Sequence, residues 1–210
     1  MSAPARAPAP PARMRRELGR KAIHVASVLV PLGVWIAPRW LALAVLLPGA
    51  ALALGIDVAR LRLRGARYLF FRTFRTLLRH HERRGLAGAT YMAVAYALAA
   101  LLFPRPVAVC AMLFNGLGDA AAALVGKRWG RHRTRWGKSW EGFAAGVATN
   151  AAAASAVSAL DPRLWLPAAL LGALAAATVE LLDLPVDDNL RVTLTGGLVI
   201  LAAMLAAGRP

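Results

Sequence analysis

Residues 40–57 read WLALAVLLPGAALALGID, and residues 58–85 continue as VARLRLRGARYLFFRTFRTLLRHHERRG. The first stretch is apolar through nearly its whole length, whereas the second contains nine arginines. The hydrocarbon core of a bilayer is about 30 Å thick, and a helix needs about 20 apolar residues to cross it. The first stretch therefore predicts a membrane-spanning helix. The second predicts a basic amphipathic cytoplasmic segment that lies on anionic lipid headgroups.

The same alternation of apolar and basic blocks continues along the 210 residues. Hydrophobic residues make up 59% of the chain, yet its formal net charge is +16, a combination that is rare in a soluble domain. Because each apolar block is long enough for a helix in the bilayer, we predict an all-α, polytopic integral membrane bundle of about seven transmembrane helices. The predicted spans are 22–37, 40–57, 86–103, 106–126, 141–160, 164–182 and 190–208.

The basic residues divide unevenly between the two predicted sides of this bundle. Of the 26 Lys and Arg, only Arg39, Arg105, Arg163 and Arg209 fall on one side. The positive-inside rule assigns the other side, with the long connections and the N-terminus, to the cytoplasm. We therefore expect a multi-pass protein of the cell inner membrane with its N-terminus and its active site facing the cytoplasm.

The chain begins differently from the rest. Residues 1–16, MSAPARAPAPPARMRR, are rich in Ala, Pro and Arg and contain no apolar core, which predicts a disordered basic arm. Residues 17–208 are expected to form one membrane-embedded domain. The single cysteine, Cys110, excludes an internal disulfide. Nucleic acid is not an expected partner, because arginines within a multi-pass chain need further evidence before they indicate one.

One acidic residue lies inside a predicted span. Asp119 is followed by AAAALVG, which places it about one or two turns inside the hydrocarbon boundary. A carboxylate at such depth costs roughly 2.5–3.5 kcal/mol and therefore normally faces a polar partner. Asn115, four residues earlier, shares its helical face. A buried salt bridge to an arginine would be a structural explanation of Asp119, and a divalent cation, which prefers carboxylate oxygens, would be a functional one.

A second acidic group occurs on the same predicted side, in the stretch ELLDLPVDDN (180–189). Asp187, Asp188 and Asn189 offer several oxygens at the start of a helix. One of them is expected to cap that helix, but three in succession exceed what a cap requires. The predicted metal ligands are therefore Asp119, Asp187 and Asp188.

The loop GKRWGRHRTRWGKSWEG (126–142) joins two of the predicted spans. Gly126 and Gly130 permit close backbone approach, while Lys138 and Ser139 stand at a helix start, where free N–H groups favour an anion. The spacing is not that of a Walker A loop, and basic cytoplasmic loops commonly serve topology alone. Together with the two acidic groups on the same side, however, the loop indicates a metal and nucleotide site bordering the lipid.

The stretch RKAIH (20–24) presents Arg20, Lys21 and His24 on one helical flank. A histidine in a span is often hydrogen-bonded to a neighbouring helix. The alternative is that His24 positions a phosphate or accepts a proton from a substrate.

Four ordered stretches resemble the polyprenol kinase family, which includes dolichol kinase, phytol kinase and CTP-dependent diacylglycerol kinase. ELGRKAIHVAS resembles its E-x-x-R-K-x-x-H signature, and LAGATYMAVAYALAALLFP resembles its central GATY helix. GDAAAALVGKRWG followed by GKSWEG is similar to its most specific motif, and VDDNLRVTLTGGL resembles its closing D-D-N-L segment. The matches spread across residues 17–198. One departure is that Arg191 and Thr193 stand where the family usually has a small polar residue and a proline.

The resemblance implies an integral-membrane lipid kinase that moves a phosphoryl group from a nucleoside triphosphate, often CTP, to a lipid alcohol such as a polyprenol, phytol or diacylglycerol. The metal would be Mg²⁺ or Mn²⁺. The residues predicted to bind the nucleotide are Arg20, Lys21, Asn115, Gly126, Gly130, Lys138, Ser139, Glu141 and Asn189. The predicted catalytic residues are Asp119, His24, Lys138 and Asp188.

Two other functions use some of the same features. A phosphatidate cytidylyltransferase would join CMP to a lipid phosphate with the same metal chemistry, but the G-H-G-G-x-x-D-R-x-D tail of well-known cytidylyltransferases does not occur in this sequence. A membrane transporter or scaffold is the non-enzymatic alternative. Transport sites lie near the bilayer midplane, whereas the acids of this chain cluster at one predicted membrane face.

Overall fold

The structure of the protein is a computed structural model that describes residues 26–74, 82 and 84–209. The regular secondary-structure elements in these described residues are helices, which confirms the predicted all-α class. One of them, α5, runs continuously but contains a π turn at Phe114–Gly118 between two α-helical parts. The helices of the described part are α1 Leu29–Ile36, α2 Arg39–Arg62, α3 Arg64–Phe74, α4 Gly88–Leu102, α5 Arg105–Arg128, α6 Trp140–Leu160, α7 Leu166–Leu181 and α8 Asp188–Ala206.

Four of the helices in the described part are long and apolar enough to cross a membrane, namely α2, α5, α6 and α8. Two more, α4 and α7, are apolar but have only 15 and 16 residues. Helix α1 has eight residues, and the predicted span 22–37 begins outside the described residues. Seven spans therefore remain a prediction, whereas a bundle with several apolar helices of membrane-crossing length is observed.

Helix α5 forms the centre of the bundle, and α2 lies at its edge. The most apolar part of α5 is 61% buried, and that of α2 only 17%. On α2, Val45 and Leu52 are 63% and 65% exposed. A contiguous apolar surface of this kind is unfavourable in water, whereas lipid tails solvate it without penalty. The burial pattern thus fits a bundle that is surrounded by hydrocarbon.

Small residues allow α7 and α8 to approach closely. A Cβ atom on Gly172 of α7 would lie 2.7 Å from the main-chain oxygen of Gly196 in α8. A Cβ atom on Gly196 would in turn lie 2.9 Å from the ring of Phe114. Between apolar helices in lipid, such backbone approach replaces the hydrophobic effect as the source of association. Gly196 and Phe114 thereby fix α8 against the π turn of α5.

The helix termini group at the two ends of the bundle. At one end, called the site end below, the start of α8 meets the start of α4, where Asn189 Nδ2 donates to Gly88 O at 3.3 Å. At the other end, called the far end, Arg39 donates to Leu101 O at 2.7 Å. The four arginines that the sequence assigns to one side, Arg39, Arg105, Arg163 and Arg209, all lie at this far end.

A buried ion pair shapes the end of α2. Asp57 and Arg60 form a salt bridge in which each residue is only 1% exposed. Asp57 Oδ2 accepts from Ala87 N at 2.7 Å, and Arg60 donates to Glu82 O at 3.1 Å and to Gly85 O at 2.8 Å. These partners satisfy both charges, and helix α2 continues five residues beyond Asp57, where the predicted span ends. The position of the membrane boundary along this helix remains a prediction.

The basic segment 58–85 contains one described helix of its own. After a break at Leu63, helix α3 covers Arg64–Phe74. Tyr68 and Leu69 on this helix are 71% and 64% exposed. The expected amphipathic helix is therefore present over these 11 residues, while residues 75–81 and 83 lie outside the described part.

Candidate functional site

The π turn of α5 places Asp119 at the site. A π turn accommodates one extra residue in a helix and often occurs at functional sites. One extra residue turns the side chains that follow by about 100°, so Asp119 leaves the face that a regular α-helix would give it. Asn115, within the turn, is only 1% exposed. The face that carries Asn115 and Asp119 therefore depends on this irregular turn.

Helix α6 packs directly on the backbone of the same turn. A Cβ atom on Gly118 would lie 2.8 Å from Asn150 Cγ and still closer to Asn150 Oδ1. Asn150 is 2% exposed, and its Nδ2 donates to Ala173 O at 3.3 Å, whereas its Oδ1 is buried without a hydrogen-bond partner. Asn150 thus links α6, α7 and the π turn. The sequence reasoning did not single it out.

Lys138 is the central cation of the site. It comes from the loop between α5 and α6, and its Nζ lies 3.0 Å from Glu180 Oε1 and 3.4 Å from Asp188 Oδ2. It also donates to the main-chain oxygen of Glu180 near the end of α7. The carboxylates of Asp119 and Asp188 both act electrostatically on Glu180. Lys138 therefore contacts two acids, Glu180 of α7 and Asp188 of α8, and Asp119 of α5 acts electrostatically on Glu180. We call Asp119, Glu180, Asp188 and Lys138 the acid–lysine cluster.

Glu180 is the member that the sequence reasoning missed. It was counted among the acids near the last connection but was not selected as a site residue. In the sequence, Glu180 resembles Asp119 because each is an acidic residue within an apolar segment. For Glu180 that segment is LPAALLGALAAATVELL (166–182). An acid at the end of an apolar helix is costly unless it has a partner, and here that partner is Lys138.

Arg191 explains one departure from the family pattern. It donates to Asp188 Oδ1 through Nη2, and its Nη1 donates to Val179 O at 3.1 Å and to Leu182 O at 3.3 Å. The last two oxygens belong to the end of α7, where helical carbonyls lack partners within the helix. Arg191 therefore holds Asp188 beside the end of α7. Thr193, the other departure, is 0% exposed and donates to Asn189 O at 2.8 Å.

Asp187 caps α8, which confirms that one residue of this acidic group serves as a helix cap. Its Oδ1 accepts from Asn189 N at 3.0 Å and from Asn189 Nδ2 at 2.8 Å. Asn189 Oδ1 accepts from Asn115 Nδ2 at 3.2 Å. The structure thus joins Asn115 and Asn189 directly. Capping accounts for the position of Asp187, and its role as a metal ligand remains a prediction.

The glycines of the loop surround a buried cap. Ser139 is 4% exposed, and its Oγ accepts from Gly142 N at 3.1 Å at the start of α6. Cβ atoms on Gly126 and Gly130 would lie 2.8 Å and 2.7 Å from Ser139 Oγ. The absence of side chains at these glycines is therefore explained by packing. Contact of Ser139, Gly126 or Gly130 with a nucleotide remains a prediction.

The rest of the loop is folded so that Lys138 reaches the acids. Thr134 N donates to Lys138 O at 2.7 Å, and Gly137 N donates to Thr134 O at 3.0 Å. Gly137 has a φ of 79°, a left-handed conformation that glycine adopts without strain. Glu141 Oε1 accepts from His132 N at 3.1 Å and lies 2.7 Å from His132 Nδ1. Glu141 therefore braces the loop, and its contact with a nucleotide remains a prediction.

The charges of the site favour a cation. The acid–lysine cluster contains three carboxylates and one ammonium group, which contacts Glu180 and Asp188, and Arg191 adds a second positive charge at Asp188. Among residues 26–74, 82 and 84–209, no three His, Cys, Asp or Glu are placed so that they could hold a metal ion by themselves. Any metal at this site therefore needs ligands other than protein acids alone. Arg20, Lys21 and His24 lie outside the described residues.

Comparison with known proteins adds one relative. An uncharacterized protein of Rickettsia prowazekii (strain Madrid E) is 29% identical over 117 residues, which is 54% of this chain and 57% of the relative. This chain thus matches little more than half the length of that protein. No protein-family model and no solved structure matches the chain.

Proposed function

We propose that the protein is an integral-membrane lipid kinase of the polyprenol kinase type. It transfers a phosphoryl group from a nucleoside triphosphate, with CTP as the expected donor, to the hydroxyl group of a lipid alcohol. The observation that carries this proposal is the acid–lysine cluster, in which Lys138 contacts Glu180 of α7 and Asp188 of α8, and the carboxylate of Asp119 on α5 acts electrostatically on Glu180. This cluster lies at one end of an apolar bundle, where a lipid hydroxyl and a soluble nucleotide can meet.

The site end is proposed to face the cytoplasm of a bacterial-type inner membrane. The far end carries four of the 26 basic residues, and the positive-inside rule places such a poorly basic side outside. A cytoplasmic site has access to nucleoside triphosphates. Anionic headgroups of the inner leaflet are then the expected neighbours of the basic helix α3.

The chain's acids fit a nucleotide-bound Mg²⁺ or Mn²⁺ better than a metal held by protein alone. Mg²⁺ usually keeps several waters and takes one or two carboxylates together with substrate phosphates. Asp119 and Asp188 are the acids proposed to hold it, and Asp187 remains a candidate beside its capping role. When bound, the ion would offset negative charge on the phosphates during transfer. This division of ligands requires no cluster of three protein acids.

Lys138 is proposed to hold the phosphates of the nucleotide. In the structure it neutralises Glu180 and Asp188 and remains 30% exposed. A lysine is a compact point charge with three donors on a flexible stem, so it can exchange a carboxylate for a phosphate oxygen. Such an exchange would also release a carboxylate of the cluster. That carboxylate or His24 would accept the proton of the lipid hydroxyl.

The lipid alcohol is proposed to enter sideways between helices, with its tail left in the bilayer. The outward face of α2 exposes Val45 and Leu52. This apolar surface suits a lipid tail. Positioning of the hydroxyl in line with the transferred phosphorus supplies much of the acceleration in such reactions.

The test is a transfer assay with purified, detergent-solubilised protein, Mg²⁺, CTP, ATP, GTP or UTP, and a panel containing a polyprenol, phytol and diacylglycerol. The expected products are a lipid phosphate and a nucleoside diphosphate. Asp119→Asn is expected to lower turnover at least about 100-fold, because a single transition-state electrostatic contact is commonly worth this much. Arg135→Gln, at an exposed position of the same loop, is the matched control and should keep activity.

Two results would overturn the proposal. One is the absence of transfer to every alcohol in the panel by a protein whose Tm shows that it is folded. The other is release of pyrophosphate with phosphatidate and CTP, which would identify a phosphatidate cytidylyltransferase. Full activity of Asp119→Asn would reject the metal assignment while leaving the reaction in place.

A further inference from the structure

A cleft lies at the site end of the bundle, between the end of α2 and helix α3. It has a volume of about 440 Å³ and is lined by Leu61, Arg67, Phe71 and Arg84. Leu61 belongs to the last turn of α2, Arg67 and Phe71 belong to α3, and Arg84 lies in the turn before α4. Among the described residues, the lining therefore combines two guanidinium groups with two apolar side chains.

The wall of this cleft is built by internal contacts. Arg67 Nε donates to Arg60 O at 3.3 Å, and Arg67 Nη2 donates to Leu61 O at 3.1 Å, so its guanidinium is tied to the end of α2. The buried guanidinium of Arg60 lies 4.7 Å from the ring centroid of Phe70 in α3. The Asp57–Arg60 pair thus sets the angle between α2 and α3. A guanidinium fixed in advance loses less freedom when it binds an anion.

The nearby acids Asp57 and Glu82 have partners within the fold. Asp57 is engaged with Arg60 and Ala87 N, and Glu82 Oε1 accepts from Gly88 N at 3.0 Å. Both acids are buried. Arg67 and Arg84 are exposed, and they therefore present positive charge to a ligand that approaches from outside the bundle.

The apolar half of the cleft decides which anion fits. Leu61 lies on the same helical face as Leu54, seven residues earlier, which is 39% exposed. A soluble anion such as free phosphate would use the arginines and leave this apolar surface unused. An anionic phospholipid uses both, because its phosphate contacts the guanidinium groups while its acyl chains lie along α2.

We propose that this cleft is a specific site for the phosphate headgroup of an anionic phospholipid. The proposal goes beyond the kinase reaction, because the bound lipid is a resident ligand and not the phosphoryl acceptor. It requires only that α2 spans the membrane. Its success or failure is therefore independent of the reaction that the acid–lysine cluster performs.

The test measures the Tm of the full-length, detergent-solubilised protein during titration with phosphatidylglycerol or with phosphatidylcholine of the same acyl chains. A ligand that binds the folded state raises the Tm in a saturable manner. We expect such a rise with phosphatidylglycerol and none with phosphatidylcholine. The concentration for half of the maximal rise is expected to increase about tenfold in Arg84→Gln, which corresponds to loss of one strong charged contact.

Two further variants complete the test. Arg67→Gln removes the second arginine and is expected to weaken the response similarly, even though loss of its bonds to α2 also lowers the starting Tm. Arg72→Gln is the matched control, because Arg72 is exposed on α3 but does not line the cleft, and its titration curve should equal that of the wild type.

Equal curves for Arg84→Gln and the control, or equal responses to the two lipids, would overturn the proposal. An equal response to glycerol phosphate in place of the lipid would also overturn it, because the site would then recognise a soluble anion.

Discussion

Asn115 and Asn189 are 74 residues apart in the chain, and Asn115 Nδ2 donates to Asn189 Oδ1 at 3.2 Å. This bond joins the π turn of α5 to the first turn of α8. Asp119 follows Asn115 by about one turn, and Asp188 immediately precedes Asn189. The amide pair therefore fixes the relative position of two carboxylates of the acid–lysine cluster, which lie on different helices.

Replacement of Asn115 is expected to weaken both the fold and the site. In Asn115→Ala, Asn189 loses a donor at a contact where Asn115 itself is 1% exposed. A buried polar group left without its partner costs about 1–3 kcal/mol, which should appear as a lower Tm. Turnover should fall further than the Tm change explains, because Asp119 and Asp188 lose their common support.

The control for this prediction is Thr178→Ala. Thr178 is exposed, and its hydroxyl donates to Leu174 O at 2.8 Å within its own helix. This variant should keep the wild-type Tm and turnover. If Asn115→Ala behaves like this control, the amide pair does not support the site.

A second prediction concerns the contact between Gly118 and Asn150. In Gly118→Ala, the new Cβ atom would overlap the amide of Asn150, and crowding of a packed interior typically costs about 1–3 kcal/mol. The double variant Gly118→Ala with Asn150→Ala removes the obstructing amide and should recover part of the lost Tm. Thermal unfolding of the two single variants and the double variant measures this coupling.

Gly55→Ala serves as the reference for a glycine in an open position. A Cβ atom at Gly55 would meet nothing within 4 Å, so the substitution should keep or slightly raise the Tm through the higher helix propensity of alanine. Additive effects of Gly118→Ala and Asn150→Ala would show that α6 is not held against the π turn by this contact.

The helices could be predicted from the sequence, because hydropathy depends on local composition. The predicted span 141–160 differs by one residue from α6, Trp140–Leu160, and the predicted span 106–126 lies within α5. The residue at which helix α2 ends could not be predicted from the sequence. Its extension to Arg62 depends on Asp57, Arg60 and a distant backbone N–H at Ala87, and such a partner does not appear in a local window.

The candidate site could be predicted only in part, because some of its features also do not appear in a local window of sequence. Asp119, Lys138 and Asp188 stand out as charges near apolar runs, and the structure brings them together around Glu180. Patterns alone did not reveal the π turn, which changes the helical face of Asp119. They also did not distinguish Ser139, Gly126 and Gly130 as packing residues, because a glycine that accommodates a side chain and a glycine that accommodates a phosphate look identical in sequence.

A third prediction concerns acid conditions at the far end. Arg163 donates to Asp161 through Nε at 2.9 Å and through Nη2 at 2.6 Å, and these contacts hold the pKa of Asp161 below its usual value. A carboxyl group with a lowered pKa stabilises the fold above its unfolded pKa of about 3.9, and this contribution disappears as the pH falls through the folded pKa. The Tm of the wild type should therefore exceed that of Asp161→Asn by roughly 1–3 °C between pH 5 and 7.

The same measurement at lower pH separates charge from other causes. Below about pH 4 the Tm difference between wild type and Asp161→Asn should shrink. Asp183→Asn, at an exposed acid in the connection before α8, is the matched control and should show no such pH-dependent difference. A difference for Asp161→Asn that persists unchanged to pH 3 would contradict the assignment to the ion pair.

The fourth prediction tests which end of the bundle faces the cytoplasm. Cys110 is 0% exposed, so the native protein should not react with a membrane-impermeant maleimide, and single cysteines can be introduced without its removal. Pro162→Cys lies at the far end between α6 and α7, and Arg135→Cys lies in the site-end loop between α5 and α6, both at exposed positions. In right-side-out membrane vesicles, we expect the maleimide to label Pro162→Cys and to leave Arg135→Cys unlabelled, because the basic end is retained inside.

Both variants should react after the vesicles are opened with detergent, which controls for intrinsic reactivity. Labelling of Arg135→Cys in sealed vesicles would reverse the proposed orientation and would place the acid–lysine cluster away from the cytoplasmic nucleotide pool.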